Sequence, residues 1–181
     1  MSKILMRSLL LLLIIYIVGV ADESFVLNAH IRMIPKIMAL DTRLSSKSPS
    51  FKATLAVVYD TNQKNAAFSI AEQINKVHNG KVSNLAFSAT AYSFDELVER
   101  RDIAFIYIVP RCNSQLIKKV AVWGIVHSVP TFSYDVTDLE YGILGSIAIE
   151  RSTVVYINKN TLKEGKFRFN DILFQIARII E

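Results

Sequence analysis

Short apolar runs alternate with helical stretches along most of this chain, and that alternation restricts how it can fold. Ala53–Tyr59 has the length and continuity of a strand covered on both faces, and Val82–Phe87, Ile103–Val109 and Val129–Tyr134 also read as strands. Helical periodicity fills the gaps, from about Lys64 to His78, from Ser93 to Arg100 and from Ser114 to Val126. In the first of these helices Phe68, Ala71, Ile74 and Val77 are expected to point inward, and Asn79-Gly80 to end it. Ser93 and Glu96 have the spacing of a capping box. Gly145–Glu150 and Thr153–Asn158, separated by Arg151-Ser152, predict a hairpin. A last helix is expected over Asp171–Ile180, capped by Asn170, with Ile172, Leu173, Ile176, Ala177 and Ile180 as its stripe and Phe169 stapled to Phe174. The fold class that follows is α/β: a three-layer sandwich whose sheet is mostly parallel, with an antiparallel hairpin near the C-terminus and helices on both faces.

The N-terminus has a different character. Lys3 and Arg7 precede an unbroken apolar run from Leu9 to Val18, and Gly19, Val20 and Ala21 supply the small residues a signal peptidase reads. The run is shorter than the roughly 20 residues that span a bilayer. Residues 1–21 are therefore expected to be a signal peptide and 22–181 a single α/β domain, exported and working in the periplasm. An amphipathic helix opens that domain. Val26, Leu27, Ile31, Met33, Ile34, Ile37 and Met38 share one face, His30 falls within it, and Pro35 should bend the helix without abolishing it.

Charge and cysteine content remove several function classes. The formal charge of +5 includes Lys3 and Arg7, so a processed chain keeps a modest surplus with no basic stripe, and no nucleic-acid partner is expected. Cys112 is the only cysteine, which excludes an internal disulfide. It remains a redox candidate, because a helix N-terminus would favour its thiolate.

Parallel sheets bind ligands outside the carboxyl ends of their strands. Three loops qualify, and the polar groups expected to converge there are Asp60, Asn62, Arg111, Asn113, Ser114, Ser133 and Asp135. Asn62, Asn113 and Ser114 are more simply read as helix caps. Phosphate-binding glycine motifs and the nucleophile elbow are missing. His30, His78 and His127 lack a metal-ligand spacing. No catalytic residue, metal or cofactor is assigned, and a binding domain is expected in preference to an enzyme. Leu139, Tyr141 and Phe174 are candidate partner contacts, since each lies off the expected core stripes.

In order, several stretches carry a resemblance: Lys36-Ile37-Met38-Ala39-Leu40, the strand Ala53–Tyr59 with Asp60, Ile103–Pro110 with Ser114-Gln115, Val129-Pro130-Thr131-Phe132-Ser133, and Gly145–Ile149 with its hairpin, Phe167–Asn170 and Asp171–Ala177. Together they resemble the YfiR-like family of exported regulators. The lone Cys112 departs from relatives that pair cysteines. The resemblance implies a periplasmic protein that binds an inner-membrane signalling protein, a diguanylate cyclase of cyclic-di-GMP signalling or a sensor kinase, and controls it by contact. It carries over no catalytic residue. A homodimer and a small-molecule ligand are left open, and the competing reading is a single-lobe solute-binding component of a transport or sensing system.

Overall fold

In a computed structural model of the chain, residues 23–48 and 51–181 are described; the expected signal peptide lies outside them. Residues 23–38 form the first helix, α1, which continues past Pro35. Then come β1 (Lys52–Val58), α2 (Lys64–His78), β2 (Lys81–Val82), β3 (Leu85–Tyr92), α3 (Phe94–Val98), β4 (Ile103–Ile108), α4 (Ser114–His127) and β5 (Thr131–Ser133). A 3₁₀ segment at Val136–Tyr141 leads into β6 (Gly145–Ile149), β7 (Thr153–Asn158), α5 (Lys159–Glu164), α6 (Asp171–Ile176) and β8 (Ala177–Ile180).

Among the described residues eight strands share one sheet in the order β2-β3-β1-β4-β5-β6-β7-β8. The five strands from β3 to β6 in that order run parallel, and β6 and β7 form the antiparallel hairpin. The α/β fold class read from the sequence is therefore the one observed.

Two-residue alternation along each central strand divides the core between the faces. Leu55, Val57, Phe105 and Tyr107 face one way, packing with Ile31, Ile34, Ile37 and Met38 of α1, with Ala67, Ile70 and Ile74 of α2, and with Leu173 of α6. Ala56, Val58, Ile106 and Ile108 face the other way, against Leu97 of α3 and Leu116, Ile117 and Val120 of α4. Burying one such large side chain contributes roughly 1.5–3 kcal/mol. Local chemistry marks the ends. Ser93 and Glu96 close the expected capping box on α3, Asn113 caps α4, and Asn79 ends α2 in the left-handed conformation at φ 49°. Asn75 of α2 clamps Ala89 of β3, donating to its carbonyl at 2.8 Å and accepting from its N–H at 2.7 Å.

Four expectations need correction. The run Val82–Phe87 is not one strand: Ser83 turns at φ 51°, so β2 folds back on β3, which then extends to Tyr92. The inward face of α2 is Ala67, Ile70, Ala71 and Ile74, while Phe68 and Val77 are exposed. Asn158 caps a further helix, α5, that apolar periodicity did not reveal. The last helix stops at Ile176 and becomes β8, because the free edge of β7 offers a ladder parallel to it. The Asn170 cap is present, accepting from the Ile172 N–H at 3.0 Å.

Candidate functional site

The carboxyl ends of β1, β4 and β5 lie side by side, so the loops that follow them gather at one rim of the sheet. A crevice of about 540 Å³ opens there, between the start of α1 and the start of α2. Its walls are Leu27, Ala66, Pro110 and Tyr134, and its polar groups are Glu23, Ser24, Gln63, Arg111 and Asp135.

Arg111 sits in the left-handed conformation at φ 66°, and its Nη2 donates to both carboxylate oxygens of Glu23, at 2.6 and 2.9 Å. Both side chains are largely exposed. Water screens such a pair, which adds at most about 1 kcal/mol. An anionic ligand that displaced Glu23 from Arg111 would therefore give up little. Asp135 caps the 3₁₀ segment, accepting from the Thr137 N–H at 3.0 Å and the Thr137 hydroxyl at 2.8 Å.

Of the seven residues expected to converge, only Arg111 and Asp135 line the crevice. Asp60 is bound into the structure, accepting from the N–H of Asn62 at 3.2 Å and from the N–H and side-chain amide of Asn113 at 3.1 and 3.2 Å. Asn113 accepts in turn from the Leu116 N–H at 2.9 Å. Asp60 and Asn113 border a separate cavity of about 240 Å³ beside Ser93 and Phe94 of the α3 side. Asn62 and Ser114 are exposed and line neither cavity. Ser133 is fully buried, its hydroxyl donating to the Asp135 carbonyl at 2.8 Å. The sequence reading missed the contribution of α1 and α2. Glu23, Ser24 and Leu27 reach the rim only because α1 packs beside α2, and no local pattern encodes that.

Beneath the crevice lies an aromatic cluster. The His30 ring stacks on Tyr134, with centroids 5.0 Å apart, and lies 5.6 Å from Tyr107. His30 is the expected core imidazole, fully buried, with Nε2 2.8 Å from the Ile147 carbonyl. That contact makes Nε2 the protonated nitrogen of the neutral ring. Nδ1 and the Tyr107 hydroxyl are buried without a hydrogen-bond partner. Burial lowers the His30 pKa to about 4, against a smaller opposing effect of the Ile147 carbonyl. Asp138, also buried, is pushed up to about 6 by burial and by the neighbouring Asp135 carboxylate.

The surroundings of Cys112 favour the thiol over the thiolate. It is half-buried just before α4, and burial, helped by the Asp60 and Asp138 carboxylates, raises its thiol to about 12. Desolvation outweighs any help from the helix start, so the thiolate is disfavoured there. Among the described residues no group of His, Cys, Asp or Glu is arranged to hold a metal, and no helix is long and apolar enough to cross a membrane.

A second surface lies on the opposite face. Val122 and Val126 of α4 are 61% and 71% exposed, and with Phe94 and Trp123 they line an almost wholly apolar groove of about 470 Å³. Lys118 and Lys119 frame it, and Lys118 Nζ lies 5.1 Å from the centre of the Tyr141 ring. Tyr141 is thus at the border of this groove and partly exposed, and Phe174 is partly exposed on α6. Leu139, the third expected partner contact, is 2% exposed. The 3₁₀ segment turns it into the core, so it cannot meet a partner.

No protein-family model and no curated protein matches this chain. Solved structures do resemble it. One is the ABC domain from Streptococcus pneumoniae in complex with L-Trp, at 14% identity and a TM-score of 0.50 over 80% of this chain. Another is a conserved domain protein from Vibrio cholerae O1 biovar El Tor, at 11% identity and a TM-score of 0.57 over 86% of this chain. The chain spans about three fifths of each of those structures, 62% and 60%. At such identities the likeness establishes the α/β fold alone.

Proposed function

We propose that this chain is an exported regulatory protein of YfiR-like type, which controls an inner-membrane signalling protein by direct contact. The observation that carries the reading is the α4 groove: two valines more than half exposed beside Phe94 and Trp123, with lysines on its border. Exposed apolar patches with a polar rim mark interaction sites in soluble proteins. The sequence resemblance supplies the class of partner, a diguanylate cyclase or sensor kinase. The apolar N-terminal run supplies the route to it. Control would come from unequal affinity for the two states of the partner, because equal affinity shifts nothing.

Capture from detergent-solubilised membranes tests this. The wild-type chain should retain a membrane signalling protein, and Val126→Asp should weaken the interaction by ~2 kcal/mol, about thirtyfold in Kd. Retention of the same partner at undiminished affinity by both Val122→Asp and Val126→Asp would remove the groove from the reading.

The strand-end crevice favours a second reading, a single-lobe solute binder. It offers Arg111 for a carboxylate, Glu23 and Asp135 for an ammonium, and the Tyr134 side chain as a wall. The fold it shares with a domain that binds L-Trp points the same way. Thermal unfolding against free amino acids is the matching measurement. A true ligand at a hundredfold its Kd should stabilise the chain by about 2.7 kcal/mol, and Arg111→Ala should abolish that gain. A panel that leaves the melting temperature unmoved counts against the second reading and leaves the first intact.

A further inference from the structure

The two edges of the sheet differ in length and in exposed apolar surface. At one end stands β2, only Lys81–Val82, with an exposed lysine. Short edge strands with lysines are how sheets avoid pairing with other chains. At the other end stands β8, Ala177–Ile180, whose only neighbour among the described residues is β7. Among the described residues nothing pairs with its outer row of backbone donors and acceptors, and beside the half-exposed Arg178 stand exposed apolar side chains, Ile172 at 52%, Ile176 at 50% and Ile179 at 41%.

Register shows what that edge lacks. Ala177 and Ile179 pair with Val155 and Ile157, both buried in the core cluster under α1 and α6. Ile179 therefore lies on the core-facing side of the sheet, where Ala177 still packs against the core while Ile179 is 41% exposed. A further strand laid along β8 would complete both the ladder and that face.

We infer that the strand is the β8 of a second copy, paired antiparallel about a two-fold axis normal to the sheet. Such an axis keeps each face with its own kind, and directly opposed residues must then lie on the same face. Only registers centred on a single residue meet that condition. Centring on Arg178 would set one guanidinium against another. Centring on Ile179 pairs Ile179 with its own copy, Arg178 with Ile180, and Ala177 with Glu181. Arg178 keeps its intrachain partner in this register, the Glu150 carboxylate at 3.0 Å, while its aliphatic stem lies along the opposing isoleucine. The product is one continuous sheet through two protomers. It leaves the strand-end crevice and the α4 groove free, and so holds whichever reading of function is correct.

Sedimentation of the purified chain at micromolar concentration tests the state, and oxidative cross-linking tests the register. The wild-type chain should sediment as a dimer and Ile179→Lys as a monomer. In a Cys112→Ser background, Ile179→Cys should form a disulfide-linked dimer on mild oxidation, because directly opposed cross-strand positions lie close to disulfide reach. Arg178→Cys, offset from its own copy, should not. A wild-type monomer, a dimer indifferent to Ile179→Lys, or cross-linking at position 178 in place of 179 would each overturn the inference. Ile179 is part-exposed at an edge, so a folding failure of the lysine variant is not expected; the cysteine pair decides the matter without it.

Discussion

Phe132→Ala is expected to lower the unfolding free energy by about 3–5 kcal/mol, measured by urea denaturation. Phe132 is fully buried at the middle of β5, the shortest strand of the parallel core, and its ring lies 5.3 Å from that of Phe105. The ring also lies over Gly145. A Cβ built there would come within 2.5 Å of the Phe132 ring and 2.8 Å of the Tyr156 carbonyl. The glycine is thus what allows β6 to lie beside β5 with a phenylalanine between the sheet and its cover. Gly145→Ala should cost about 1–3 kcal/mol by overpacking. The two changes should not add, since removing the ring removes the nearer clash and leaves only the carbonyl. Strict additivity in the double variant would mean that Phe132 and Gly145 do not constrain each other. Domains of this kind have about 5–15 kcal/mol in all, so Phe132→Ala alone should visibly lower the melting temperature.

The legible parts of this fold are those in which local pattern and tertiary role agree. β1 and β4 are apolar runs bounded by Asp60 and Pro110, and both are buried on two faces as their composition requires. The hairpin and the caps at Ser93, Asn113 and Asn170 rest on chemistry contained within a few residues. The stretch Asp171–Ile180 is the opposite case. Ile-Leu-Phe-Gln-Ile-Ala-Arg-Ile-Ile fits helical and strand spacing almost equally well. What decides the boundary at Ala177 is an open edge on β7, supplied from elsewhere in the chain. A similar limit applies to the crevice. Strand order brings Arg111 and Asp135 to one rim, which the parallel topology foretells. Asp60 is turned by its bonds to Asn62 and Asn113 toward the α3 side, and Glu23 arrives on a helix far away in sequence. Residues that contribute to a site through packing of one element on another leave no spacing to read.

The contributions of His30 and Asp138 to stability should nearly cancel between pH 4 and 6.5, and single variants of either should tilt the profile in opposite directions. Burial lowers the pKa of His30 from its ordinary 6.5 to about 4. The unfolded chain binds that proton more readily, so this stabilisation is complete above pH 6.5 and is lost as pH falls toward 4. Asp138 moves the other way, from 3.8 to about 6. The folded chain holds that proton more firmly, so this contribution is complete below pH 3.8 and is lost as pH rises through 6. Each shift corresponds to about 3 kcal/mol at ~1.4 kcal/mol per pH unit, and over the shared window they offset. In Asp138→Asn the histidine acts alone, and the unfolding free energy should rise by about 3 kcal/mol from pH 4 to 6.5. In His30→Gln, whose amide can still donate to the Ile147 carbonyl, it should fall by a similar amount from pH 4 to 6. His78, lowered chiefly by burial, and the carboxylates of Glu96, Asp102, Glu150 and Glu181, lowered chiefly by their hydrogen bonds, leave a small slope of the first sign in the wild type and both variants. Urea midpoints at several pH values distinguish the cases, and parallel profiles for the wild type and both variants would show that neither buried group changes its proton affinity on folding.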